Sequence, residues 1–217
     1  MTPTLRRPRQ GRGTVIVFAL LGAALLAVTL LAALPLAEAQ AAPKPEDPKK
    51  QTLWDLYLDA KEAYAMKMEL GDQALLVDVR EPIEIMFTGF TDVVDVNVPF
   101  MLANRSAWNE KKSVFLMEKN PDFEPGIARA LAERGLGKDT PVILMCRSGG
   151  TRGAPSANAL WGQGYDRVYV VVDGFEGGTI KQGPQKNWRL KNGWKNAGLP
   201  WSYKLNREKM YVMPEGL

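Results

Sequence analysis

Histidine is absent from this 217-residue chain, and cysteine occurs once, at Cys146. Without histidine there is no imidazole general base and no histidine metal ligand. A lone thiol with no imidazole is a poor start for a zinc site, and the residues imply neither a metal nor any other cofactor. One cysteine also rules out an internal disulfide. Excess charge is scarce as well. The formal net charge is +4, but Arg6, Arg7, Arg9 and Arg12 all precede the first long apolar run. Without residues 1–41, which hold those arginines and Glu38, the balance is only +1. That gives no case for nucleic-acid binding. Repeats are missing, and biased composition is confined to the first 51 residues.

A single long apolar run is present, Thr14 to Leu34, after the four arginines. Basic residues, an apolar core and the small residues Ala37, Ala39 and Ala41 form the pattern of a secretory signal peptide. The run is also long enough to span a bilayer, so an uncleaved signal anchor is the alternative. Arginines on its N-terminal side keep that end cytoplasmic in both cases. The rest of the chain is therefore expected to be exported, to a periplasm or an equivalent face. There it is either soluble after cleavage or held at the inner membrane by residues 14–34. Residues 42–51, with three prolines, read as a linker.

The remaining length suits one ordinary domain. Thr52 to about Glu69 reads as an amphipathic helix with Thr52 as its cap. Ala74 to Arg80 reads as a strand, Glu81-Pro82 as a helix start, and Val93 to Val98 as a second strand. Val114 to Met117 is a short third element, followed by a helix over Phe123 to Gly135. Val142 to Met145 is a central strand, residues 153–163 a helix, and Arg167 to Val172 a further buried strand. Strands alternating with helices predict an α/β fold with a mainly parallel sheet. In such sheets ligands gather at the carboxyl ends of the strands.

Cys146 stands at such an end. The segment Cys146-Arg147-Ser148-Gly149-Gly150-Thr151-Arg152 leads from the central strand into the next helix. Strand, loop and helix turn backbone N–H groups into one concavity, where positive potential favours a thiolate. Gly149 and Gly150 allow the backbone to approach a ligand. Arg147 and Arg152 add permanent charge and planar donors for an oxyanion. A free thiol in an oxidising compartment is open to over-oxidation, so its presence there points to use or shielding.

Three motifs in order resemble the rhodanese (sulfurtransferase) family. Leu75-Leu76-Val77-Asp78-Val79-Arg80-Glu81-Pro82-Ile83-Glu84 resembles its early "DVREPxE" motif, and Met145-Cys146-Arg147-Ser148-Gly149 its active-site opening. Asp173-Gly174-Phe175-Glu176-Gly177-Gly178, with Gly193-Trp194 to Leu199-Pro200, resembles its closing segment. The resemblance covers residues 52–200. It implies a three-layer fold, a five-stranded mainly parallel sheet with helices on both faces, here preceded by an N-terminal apolar helix. It also implies that Cys146 takes sulfane sulfur from a small sulfur-containing anion such as thiosulfate, becomes a persulfide, and passes the sulfur to a thiol or protein acceptor. Residues 147–152 would be the cradle, and Asp78 and Arg80 structural supports.

The chain departs from the family in three places. Arg152 lies six positions after the cysteine rather than five, a spacing shared with dual-specificity phosphatases and arsenate reductases. Met145 and Gly153 stand where those relatives have His and Ser or Thr. Thr88-Gly89-Phe90-Thr91 replaces the familiar "GHI" turn. A cysteine phosphatase or arsenate reductase is thus one alternative, and a non-catalytic binding or sulfur-carrier module another. An inserted segment, 179–192, and a C-terminal extension, 201–217, complete the chain. Their aromatic and lysine residues offer either a partner surface or a tail packed over the sheet edge.

Overall fold

The computed structural model describes residues 42–213. The expected N-terminal apolar helix lies outside them, and among the described residues no helix is long and apolar enough to cross a membrane. Five strands form one sheet: β1 (Tyr57–Leu58), β2 (Leu75–Asp78), β3 (Val96–Asn97), β6 (Val142–Met145) and β7 (Val168–Val171), in the order β1-β7-β6-β2-β3. Every neighbouring pair is parallel. Parallel neighbours need crossovers, which α1 (Ala60–Leu70), α2 (Pro82–Thr88), α3 (Phe123–Ala132) and α4 (Gly153–Ala159) supply.

Successive side chains on a strand face opposite ways, so the sheet divides the core in two. Leu75, Val77, Val142 and Leu144 pack with Phe123 and Ile127 of α3 and Ala157 of α4. Leu76, Ile143 and Met145 pack on the other face with Ala63 of α1, Ile85 of α2, Phe175 and Trp194. The central strands β2 and β6 are buried at every position, which explains their unbroken apolar runs.

Several expected elements are corrected. The first helix begins at Ala60, not Thr52. Asp59 and Glu62 form a reciprocal capping box (Glu62 N to Asp59 Oδ1 2.9 Å, Asp59 N to Glu62 Oε2 2.7 Å). Residues 52–58 instead make a turn and an edge strand. Asp55 has φ of 54°, which no helix contains, and Tyr57 and Leu58 are held extended by Val170 and Val171. The strand expected over 93–98 shortens to Val96–Asn97, and the helices expected over 123–135 and 153–163 end at Ala132 and Ala159.

The short third element is one arm of a hairpin. β4 (Met101–Asn109) pairs antiparallel with β5 (Val114–Lys119) outside the main sheet, with a bulge between Asn104 and Trp108. β4 has no β-branched residue, so local propensity gave no strand signal there. The C-terminal stretch packs back on the domain. Phe90 and Ser202 exchange backbone hydrogen bonds (2.8 Å each way), and Trp201, Leu205 and Met210 join the core on the α1 and α2 face.

Candidate active site

Cys146 follows the last residue of β6, beside β2 and β7 at the middle of the sheet. Its side chain is only 2% exposed and belongs to the apolar cluster with Leu144 and Val170. The closing segment stitches the loop down: Phe175 N donates to Cys146 O and Glu176 N to Arg147 O, both at 2.8 Å. Two glycines permit this approach. Gly174 (φ 63°) passes so close that a Cβ would meet the backbone of residues 146–148. At Gly149 (φ 64°) a Cβ would overlap the Val172 carbonyl. Gly150 has no such constraint, its nearest neighbour being Ser148 Oγ at 3.6 Å. Of the adjacent glycines, only the first is needed for the loop's shape. Gly149→Ala is therefore expected to destabilise the domain by at least about 2 kcal/mol, and Gly150→Ala by less than about 0.5 kcal/mol. Equal denaturation midpoints for the two variants would contradict this packing.

The two loop arginines meet carboxylates that sequence reasoning did not single out. Arg152 Nη1 and Nη2 fork onto Glu84 at 2.6 and 2.8 Å, and both side chains are mostly buried. Burial pushes the Glu84 carboxyl up, but the Arg152 hydrogen bonds and the charges of Arg152, Arg80 and Arg147 prevail and hold it below the usual range. Arg147 Nε donates to Glu176 Oε2 at 2.5 Å and lies 4.0 Å from Glu84. A third guanidinium comes from the segment 179–192: Arg189 donates to Gly177 O at 2.7 Å, and its Nε is 4.0 Å from Glu176 Oε2. Burial and the charge of Arg147 press its pKa down, against Glu176, Glu84 and Cys146. Three guanidiniums against two carboxylates leave one positive charge in excess. Glu84 and Glu176 sit inside the early and closing rhodanese-like motifs, but their partners are 68 and 29 residues away. Arg189 had no signal beyond belonging to an insertion.

Four of the loop residues line two concavities, whereas Cys146, Gly149 and Gly150 line neither. Arg147, Thr151 and Arg152 line a cleft of about 570 Å³, with Glu84 and the β4–β5 hairpin forming its other walls. Ser148 instead lines a smaller depression of about 230 Å³ with Asp173 and Lys191. Asp78 and Arg80 reach neither. They are fully buried beneath the loop, where Arg80 Nε and Nη2 grip the Asp78 carboxylate at 2.5–3.1 Å. Arg80 Nη1 also donates to Thr88 Oγ1 at 2.8 Å and Nη2 to Gly89 O at 3.1 Å, and the guanidinium carbon lies 4.0 Å from the centre of the Phe175 ring.

Asp173, at the end of β7, is nearly buried. Its Oδ2 accepts from Gly193 N at 2.9 Å, while Oδ1 has no hydrogen-bond partner among the described residues. Burial pushes its pKa up to about 6, the Gly193 hydrogen bond opposing. An acid whose folded pKa lies above the unfolded value near 4 favours the fold while protonated. The contribution of this one carboxyl to stability is thus greatest below about pH 4, falls by about 3 kcal/mol between pH 4 and 6, and is flat above. Asp173→Asn keeps an acceptor for Gly193 and carries no charge. It is expected to melt higher than wild type at pH 7.5 and to lose the pH 4–6 slope. A wild-type slope that persists in the variant would assign the titration elsewhere.

A family model of the rhodanese-like domain matches residues 59–181, more than half of the chain. The chain belongs to the rhodanese-like domain family. Among curated relatives it is similar to the protein RP600 of Rickettsia prowazekii, 31% identical over 142 residues, which are 65% of this chain and 92% of that protein. A Rickettsia conorii protein is 30% identical with the same coverage. Among solved structures, this rhodanese-like chain is similar to Rv0390 from M. tuberculosis. That pair has 28% identity and a TM-score of 0.49, covering 68% of this chain and 97% of that one. The polysulfide-sulfur transferase homodimer of Wolinella succinogenes has 21% identity and a TM-score of 0.38, covering 67% and 77%.

Proposed function

We propose that this rhodanese-like chain is an exported sulfurtransferase in which Cys146 carries sulfane sulfur as a persulfide. The observation that carries this reading is the position of the chain's one thiol. It stands at the end of the central strand, beside a cluster of three guanidiniums and two carboxylates. Those guanidiniums offset the two carboxylates and the thiolate together, so an anionic donor such as thiosulfate meets no net repulsion there. The Cys146 thiolate attacks the outer sulfur of thiosulfate, the donor's S–S bond breaks, and sulfite leaves with the bonding electron pair. A Cys146 persulfide results. Sulfite is stable as an anion, so no proton has to be delivered to it. The absence of histidine is no obstacle to this chemistry.

The longer loop suits a phosphatase or arsenate reductase less well than its spacing suggests. A phosphoester leaving group needs a protonated acid beside it. Glu84, the carboxyl in the cleft with Arg152, is held ionised by the arginines around it, and the Asp173 carboxyl, its pKa raised by burial, lines the separate depression with Ser148. The test is the intact mass of the reduced protein before and after thiosulfate. A gain of one sulfur atom that cyanide removes is the expected result. No gain, with turnover of a phosphate ester or arsenate instead, would replace this reading. No gain and no turnover would leave a binding module.

A further inference from the structure

The cleft beside the loop is larger and more apolar than a small sulfur oxyanion requires. At about 570 Å³ it falls within the range of sites that enclose drug-sized molecules. One wall is the hairpin, which stands outside the five-stranded sheet. Ala103 is opposite Met117, and Trp108 opposite Phe115. Residues two apart on a strand share a face, so Met101, Ala103, Phe115 and Met117 present one apolar surface to the loop. Val114 and Phe115 are almost half exposed. The polar residues sit apart from that surface. Arg147, Thr151, Arg152 and Glu84 come from the loop and α2, whereas Asn109 and Lys112 come from the hairpin tip.

We infer that this cleft is the acceptor site, and that the acceptor is a thiol with an apolar body and an acidic far end. The inference rests on the sulfur-transfer reading above. The acceptor's thiolate approaches from the hairpin side and attacks the outer sulfur of the Cys146 persulfide. The S–S bond to Cys146 breaks, the acceptor becomes a persulfide, and Cys146 departs with the electron pair as a thiolate. The acceptor's body lies against Met101, Phe115 and Met117, and its acid faces Lys112. A bare oxyanion or a short polar thiol would leave that apolar wall wet, forgoing the burial that separates acceptors.

The test uses the full chain, loaded with sulfur from thiosulfate, and follows loss of the persulfide mass with different thiols at equal thiolate concentration. 6-Mercaptohexanoate is expected to discharge Cys146 at least about tenfold faster than 2-mercaptoethanol, since each buried methylene is worth a factor of about four. Met117→Asp should shrink that preference to within about twofold, and Met117→Leu should keep it, which separates a lost contact from a lost fold. Lys112→Gln should slow 6-mercaptohexanoate to the rate of 6-mercaptohexanol. Equal rates for all thiols on a loaded wild-type protein would overturn the acceptor site and leave sulfur transfer standing. Failure of both thiosulfate and an organic trisulfide to load Cys146 would overturn the two together.

Discussion

Cys146→Ser is expected to abolish sulfur uptake outright, with the mass unchanged by any donor. The loss is total rather than partial because a serine oxygen cannot form the S–S bond in which the sulfur is carried, and no other thiol exists in the chain. Arg147, Arg152 and Arg189 would still attract the donor, so binding should survive while transfer falls by more than about a thousandfold. A hydroxyl in place of the buried thiol costs about 1–3 kcal/mol if it stays unpartnered. Cys146→Ala avoids that cost and serves as the folded control. Both variants should give the wild-type circular dichroism spectrum and the same null mass result. A residual gain of one sulfur in either would place the carrier on another group and defeat the proposed mechanism.

Asp78→Ala is expected to destabilise the domain by about 3–5 kcal/mol. It would leave the Arg80 guanidinium buried with no carboxylate, its other hydrogen-bond partners being Thr88 and Gly89. Removing both charges together is a different matter. Asp78→Leu with Arg80→Met eliminates the unpaired ion as well as the pair, and should cost far less than the two single changes added. Denaturant unfolding of the two single variants and the double one measures this coupling. Near-additive losses would mean that the pair is not a unit. Arg80 also lies over Phe175, whose backbone N–H holds the Cys146 carbonyl. The same substitution should therefore lower sulfur uptake in whatever protein remains folded.

Much of this molecule could be read from residues alone. The two central strands were legible because both faces of each are buried, which demands runs such as Leu75-Leu76-Val77 and Val142-Ile143-Leu144. Cys146 was legible because a lone thiol where an apolar strand gives way to arginine and glycine is a poor structural residue. Elements that depend on distant partners were not legible. Tyr57–Leu58 looks like the first turn of a helix until Val170 and Val171 pair with it. β4 has no β-branched residue and exists through its ladder with β5.

The site divides along the same line. Sequence determined which atoms are available for chemistry: one thiol, two loop arginines, no imidazole and two glycines that let the backbone come close to a ligand. Those are properties of single residues and their neighbours, carried by local backbone sterics. Tertiary structure alone decided what those groups face. It set Glu84 against Arg152, Glu176 against Arg147, Arg189 beside them, and the hairpin's apolar face across a cleft from the loop. Such pairings join residues tens of positions apart, and Coulomb and apolar contacts act over a few ångströms of space, not along the chain.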